Sequence, residues 1–178
     1  SPVAHAIPPV TLIDQDLLRF DVVWAAAGHP HGVFPLHPSD LQRLTGAPVV
    51  DVVQADLFPS GQAPLVVCNP PWVPARASSP IEHAVYDEGS RMLRGFLAGL
   101  AEHLEPGGEG WLILSDLAEH LGLRTREALL GWIADAGLQV LDRMDVKPVH
   151  GKAQDASDPL HAARAAEVTS LWRLGAAG

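Results

Sequence analysis

Apolar residues arrive along this chain in short runs separated by polar, proline and glycine punctuation, and the runs follow two different periods. Continuous stretches rich in β-branched residues predict buried strands: Val10-Thr11-Leu12-Ile13, Phe20 to Ala27, Val49 to Val53, Leu65 to Cys68 and Trp111 to Leu114. Leu93, Phe96, Leu97, Leu100 and Leu104 recur at helical spacing instead and predict a helix over 90–104, ended by Pro106-Gly107-Gly108. A second helix over 125–136 is predicted to start on Thr125 as its cap, to carry Leu129, Leu130 and Ile133, and to close at Gly137. Asp14-Gln15-Asp16 reads as a turn, and Gly28-His29-Pro30-His31-Gly32 as a tight return into Val33 to Leu36. Ser39 and Gln42 have capping-box spacing for a short helix that places Leu41 and Leu44 on one face and stops at Gly46. Leu138 to Leu141 and Val168 to Trp172 are the last largely apolar runs, with a polar loop, Gly151 to Pro159, between them. Strands alternating with helices make this an α/β chain.

Composition narrows the picture. A chain of 178 residues, 47% hydrophobic and 19% charged, is globular and long enough for one domain or two small ones. Its net charge of −9 argues against a nucleic-acid footprint, which needs a basic stripe. The single cysteine leaves no intramolecular disulfide and suits a reducing, cytoplasmic compartment. No apolar run reaches spanning length and no charged start precedes one, so neither a membrane span nor a signal peptide is expected. The Ala, Leu, Gly, Pro and Arg bias resembles a high-GC bacterial proteome.

The candidate chemistry lies at the end of one strand. Leu65-Val66-Val67-Cys68 stops at Asn69-Pro70-Pro71-Trp72, and the prolines cannot continue a central strand because they lack an N–H. A polar side chain there stands where open α/β sheets bind ligands. The motif resembles motif IV of class I S-adenosylmethionine-dependent methyltransferases that act on amide or base amino groups. The resemblance extends over residues 54–178 through Asp56-Leu57-Phe58 before the strand and Tyr86 to Arg91 after it, which is similar to the HemK type. It implies that the Asn69 oxygen and the Pro70 carbonyl accept the two N–H bonds of a planar NH₂ group while Trp72 stacks on it. It implies that Asp56 and Leu57 meet the adenine end of S-adenosylmethionine. It also implies a mixed β-sheet with flanking helices, a partial Rossmann-like methyltransferase half beside a β-rich N-terminal segment. In it Leu138–Asp145 and the strand near 167–174 are the final pair, and the last strand inserts antiparallel between Trp111–Leu114 and Leu138–Asp145. The family's glycine-rich turn and its ribose-binding acid have no counterpart, since Gly28 to Gly32 lacks Gly-x-Gly spacing.

Residues 1–53 resemble something else. Pro2-Val3-Ala4-His5, Leu12-Ile13-Asp14, Ala26-Ala27-Gly28-His29-Pro30-His31 and Leu44-Thr45-Gly46-Ala47 follow the order of the C-terminal part of YbaK-type aminoacyl-tRNA deacylases. That family's Gly-x-x-x-Pro loop is represented by Pro2 alone and no lysine precedes Lys147, so any deacylase site is incomplete.

Other clusters have plainer readings. His29, His31 and His37 lack a carboxylate or cysteine spaced to complete a metal site, so no metal is expected. Asp87 and Glu88 precede a helix, where carboxylates meet the positive end of its dipole. Cys68 reads as a small hydrophobe, Asp116 and Glu119 as a capping pair, and the five dispersed tryptophans form no stacking platform.

Three functions compete. The favoured expectation is a non-catalytic, recombined protein, natural or built, whose two segments pack as one unit with no complete active site and with Asn69, Pro70 and Trp72 vestigial or substrate-binding. The second is an S-adenosylmethionine-dependent N-methyltransferase with atypical cofactor binding. The third, a tRNA-binding module, fits the acidic charge least. Without the first strand of a complete methyltransferase, Leu65–Cys68 is expected to have an open apolar edge, repaired by strands from 10–36 and 49–53 or by a second copy that pairs edge to edge or exchanges segments as a homodimer.

Overall fold

The computed structural model describes residues 9–29, 31–76, 78–79, 82, 85–148 and 161–178. Pro2 to His5, Pro30 and the loop Gly151 to Pro159 lie outside the described residues. Contacts divide the chain into two units, Ser1–Gln54 and Ala55–Gly178.

Among its described residues the first unit holds two small sheets and one α-helix. β1 (Ile13–Asp14) pairs in parallel with β4 (Val49–Val50), and β2 (Val23–His29) pairs antiparallel with β3 (Gly32–Leu36). The long strands expected over Val10–Ile13 and Val49–Val53 are therefore two residues each. Between Asp14 and Phe20 the chain makes a 3-10 turn, Gln15–Arg19, capped by the Asp14 carboxylate, which accepts from the Asp16 N–H at 2.9 Å. The hairpin return at Gly28 forms as predicted, with Gly28 at φ 80°. Burial of its first strand does not: Ala25 is its buried residue, while Trp24 is 67% exposed. A ribbon of two strands has no third layer to cover it, so apolar composition alone does not put it in a core. Helix α1 (Pro38–Thr45) stops at Gly46 in the left-handed conformation, but its cap is His37 rather than Ser39. His37 Nδ1 accepts from the Ser39 N–H, and Pro38 fills the first helical position, where a missing N–H costs nothing. Leu41 is half-buried and Leu44 is exposed, so the shared face is only partly used.

The second unit is built on one four-stranded sheet in the order β5-β6-β8-β7. β5 (Ala63–Cys68) and β6 (Leu104–Ser115) are parallel; β8 (Thr169–Ala176) lies antiparallel between β6 and β7 (Leu138–Val146). This is the order implied by the methyltransferase resemblance. Helices α2 (Arg91–His103) and α4 (Arg126–Asp135) pack on one face of the sheet. Leu93, Phe96, Leu97 and Leu100 of α2 meet Leu112, Leu114, Trp172 and Leu174 of the sheet in a continuous core, with Leu129 and Ile133 of α4 beside them. Thr125 caps α4 by accepting from the Ala128 N–H at 3.1 Å, and Gly137 follows its end at φ 68°.

Two expectations need correction here. Pro106-Gly107-Gly108 does not end α2; the helix ends at His103 and the chain enters β6 at once, with Leu104 paired to Ala63. Gly107, at φ 78°, allows the register shift in this ladder, because the left-handed region is open to a residue without Cβ. Nor is β5 fully buried. It is an outer strand whose Val66 and Cys68 pack on the core while Leu65 and Val67 are 44% and 58% exposed. Among the described residues nothing pairs with its free edge. The opposite edge strand, β7, likewise exposes Met144 and Val146. A strand paired on one side and packed on one face reads as apolar as a central one, because its sequence does not record which neighbours it has.

Candidate functional site

Asn69-Pro70-Pro71-Trp72 leaves the sheet at the C-terminal end of β5, as the prolines require. Pro70 is fully buried and Asn69 is exposed. The Trp72 indole N–H donates to the Asn69 Oδ1 at 3.0 Å, and the ring packs on the core cluster from one side. The motif is thus braced within itself: the Asn69 oxygen faces the indole edge and keeps a second lone pair free to accept from a ligand.

The loop that follows is tied down by Asp87. Its N–H donates to the Val73 carbonyl at 2.9 Å, and the Val73 N–H donates to the Val85 carbonyl at 3.2 Å. The Asp87 carboxylate accepts from the Met92 N–H at 2.9 and 3.0 Å and from the Leu93 N–H at 3.3 Å. One carboxylate therefore caps α2 and anchors the motif loop to it, which matches the helix-terminal reading of this residue. Gly89 and Ser90, at φ 66° and 56°, turn the chain into the helix. Glu88 is exposed.

Asn69, Pro70 and Trp72 form one wall of a cavity of about 530 Å³. Val73, Ala75, Val85 and Tyr86 of the tied loop close a second wall, and Leu117, Leu121 and Leu123 a third. The leucines belong to and follow α3 (Leu117–His120). Arg164, in α5 (His161–Ala166), and Glu167 complete it. The lining is mostly apolar with a few polar groups, the usual constitution of a small-molecule site.

Sequence reasoning gave no sign of the polar end. Glu167 is 3% exposed; its Oε1 accepts from the Ser115 Oγ–H at 2.5 Å, and its Oε2 has no hydrogen-bond partner among the described residues. Ser115 Oγ in turn accepts from the Leu117 N–H at 3.0 Å. Asp116 joins the ends of β6 and β8: its carboxylate accepts from the Val168 N–H at 2.7 Å and its N–H donates to the Val168 carbonyl at 3.1 Å. Buried Arg124 donates to the Ser115 carbonyl at 3.3 Å, and burial lowers its pKa. Asp116 makes no side-chain cap on α3, and Glu119 pairs with Arg126 at 2.9 Å. Glu167 follows an alanine-rich helix with no partner at motif spacing, so only a signal spanning 52 residues, Ser115 to Glu167, could have found it.

The other sequence candidates stand elsewhere. Neither Asp56 nor Leu57 lines the cavity. Asp56 makes an exposed ion pair with Arg91 at 3.3 Å, and Leu57, at φ 72°, lies against Gly95. Phe58 stacks on His103 and Phe96 with ring centroids 4.2 and 5.7 Å away. The segment therefore fastens to α2, with Phe58 packed against the core. Cys68 is half-buried, and burial pushes its thiol up to about 11, which keeps it protonated. His29 and His31 rings lie 5.8 Å apart, His37 is engaged as a cap, and no cluster of three metal-ligating side chains occurs among the described residues. No helix among them is long and apolar enough to cross a membrane.

No protein-family model matches the chain, and no curated protein does. Solved structures give distant likenesses. One is the cyclase SpnF, with a TM-score of 0.38 and 17% identity over 79% of this chain and 61% of that one. Another is StiE O-MT residues 942-1257, with a TM-score of 0.40 and 15% identity over 78% of this chain and 52% of that one. The chain thus spans between about half and three-fifths of the length of these structures.

Proposed function

We propose that the second unit is a methyltransferase-like domain that keeps the acceptor end of the site and binds a planar amide or amino compound there without transferring a methyl group. The position of β5 carries this reading. In the methyltransferase plan, the strand on the far side of the Asn-Pro-Pro strand ends in the glycine-rich turn that meets the cofactor's methionine carboxylate. Here that side of β5 is unpaired among the described residues, and its apolar residues Leu65 and Val67 are exposed. Asp56, the implied adenine contact, is occupied with Arg91. The first unit, on the same proposal, derives from a YbaK-type domain; the division between Gln54 and Ala55 falls where the two resemblances meet, which supports a recombined origin. The open edge of β5 favours self-association over a lone chain.

The cavity itself supports a second reading, an S-adenosylmethionine-dependent N-methyltransferase. The Asn69 oxygen and the Pro70 carbonyl would draw the N–H protons of a planar amino group and free its lone pair toward the methyl donor, while Trp72 holds the plane. Calorimetric titration with S-adenosylmethionine separates the two. The first reading expects no binding in the micromolar range and no methylated product. Micromolar binding together with methyl transfer lost in Asn69→Ala would establish the second.

A further inference from the structure

We propose that the cavity takes a ligand whose head is an amidine-type cation, with Glu167 as the group that selects it. This rests on the reading of the Asn69 cavity as a ligand site and adds the chemical class of its occupant. Three observations converge on the class. Glu167 lines the cavity, is 3% exposed, and has a carboxylate oxygen, Oε2, with no partner among the described residues. A buried carboxylate oxygen without a donor forfeits its hydration and gains nothing in return, so a donor arriving with a ligand removes that deficit. The other carboxylate oxygen is held by the Ser115 hydroxyl at 2.5 Å, which fixes the side chain before any ligand enters. Finally, Asn69 supplies a further acceptor in the same cavity, and Trp72, Leu117 and Leu121 supply flat and aliphatic walls. Acceptors amid mostly apolar walls fit a planar N–H donor on an apolar body. The one cation among the described lining residues, Arg164, shares the lining with Glu167, whose open oxygen still favours a cationic head through charge-assisted hydrogen bonds.

Binding followed by protein-observed NMR tests this with three probes of one shape: benzamidine, benzamide and benzoate. The full chain is expected to bind benzamidine best and benzoate not at all. Glu167→Gln keeps the side-chain length and an oxygen for Ser115; it should weaken benzamidine at least tenfold and change benzamide less than twofold. Loss of a merely structural group would weaken both equally. Leu121→Trp, which fills the cavity and leaves Glu167 in place, should abolish binding of both probes. Benzamidine binding unchanged in Glu167→Gln, or benzoate binding as well as benzamidine, overturns the assignment. If benzamide binds and is lost in Asn69→Ala while benzamidine ignores Glu167, this inference fails and the acceptor-site reading survives. If no probe perturbs residues around the cavity, both fail.

Discussion

At the scale of the residue, small side chains on α2 decide how the Asp56-Leu57-Phe58 segment sits. A Cβ at Gly99 would stand 2.8 Å from the Phe58 ring, and one at Gly95 would stand 2.5 Å from Leu57 Cδ1. The two contacts look alike, yet the neighbours differ in freedom. Phe58 is stacked on two rings, whereas Leu57 is 39% exposed and its δ-methyl group can swing away. Alanine in a helix gains about 1 kcal/mol over glycine, while forced overpacking costs roughly 1–3 kcal/mol. Gly99→Ala should therefore lose about 1 kcal/mol net, a fall in Tm of roughly 2–4 °C, and Gly95→Ala should be near neutral. Thermal melts followed by circular dichroism decide it, and a stabilised Gly99→Ala would show that Phe58 yields. The same segment shows why residue-level resemblance stops short of function. Asp56-Leu57-Phe58 was legible as a motif, but its side chains are spent on Arg91, Gly95 and the Phe96–His103 rings.

At the scale of the element, β6 and β8 form the centre of the sheet, and a charged pair crosses between them. Arg173 on β8 donates to Glu109 on β6 at 2.6 and 2.8 Å, and the Trp111 indole donates to the same carboxylate at 2.9 Å. These bonds lower the Glu109 pKa from its ordinary 4.5 to about 2. A depressed carboxylate contributes stability that is complete above its unfolded value and is lost as pH falls through the folded one. The loss from this group thus falls between about pH 4.5 and about 2. Asp145, lowered by hydrogen bonds from Arg143 and Ser170, acts with the same sign. Glu109→Gln should flatten the fall in stability across that window and leave its shape near neutrality unchanged, measured by urea unfolding at a series of pH values. An unchanged acid slope would mean that solvent screening cancels the pair. The helices supply the opposite face: Leu100, Leu112 and Leu174 are fully buried between them and the sheet, and Leu100→Ala should cost about 2–5 kcal/mol.

At the scale of the whole molecule, the second unit has a covered and an uncovered side. One face of its sheet carries the helices and the core; at one edge, β5 presents backbone that is unpaired among the described residues, with Leu65 and Val67 exposed. Such an edge pairs with whatever strand it meets unless a charge blocks it. On the proposal of self-association, light scattering after size exclusion should show a dimer at tens of micromolar. Val67→Lys should shift it to monomer with little change in Tm, since an exposed position contributes within about 0.5 kcal/mol. A wild-type monomer, or a dimer indifferent to Val67→Lys, would count against pairing through β5.

The local pattern by itself determined the α/β class, the two long helices with Thr125 and Gly137 at the ends of the second, the hairpin at Gly28, and the strand that ends in Asn69-Pro70-Pro71. Each is a short-range matter: helical period, caps, a positive φ, a missing proline N–H. The order of the strands was legible only through the resemblance of residues 54–178. Tertiary structure decided what depends on distant neighbours. It left the edge of β5 unpaired among the described residues, the edge that the missing first strand of the resemblance implied although the apolar run itself reads as buried. It carried the chain from His103 straight into β6 through Pro106 and Gly107. It left the apolar hairpin of the first unit exposed, since burial needs a third layer that no local pattern specifies. It brought Glu167 to Ser115 across 52 residues, so the most telling carboxylate of the cavity had no mark in the sequence, because a hydrogen bond between the ends of two strands has no period.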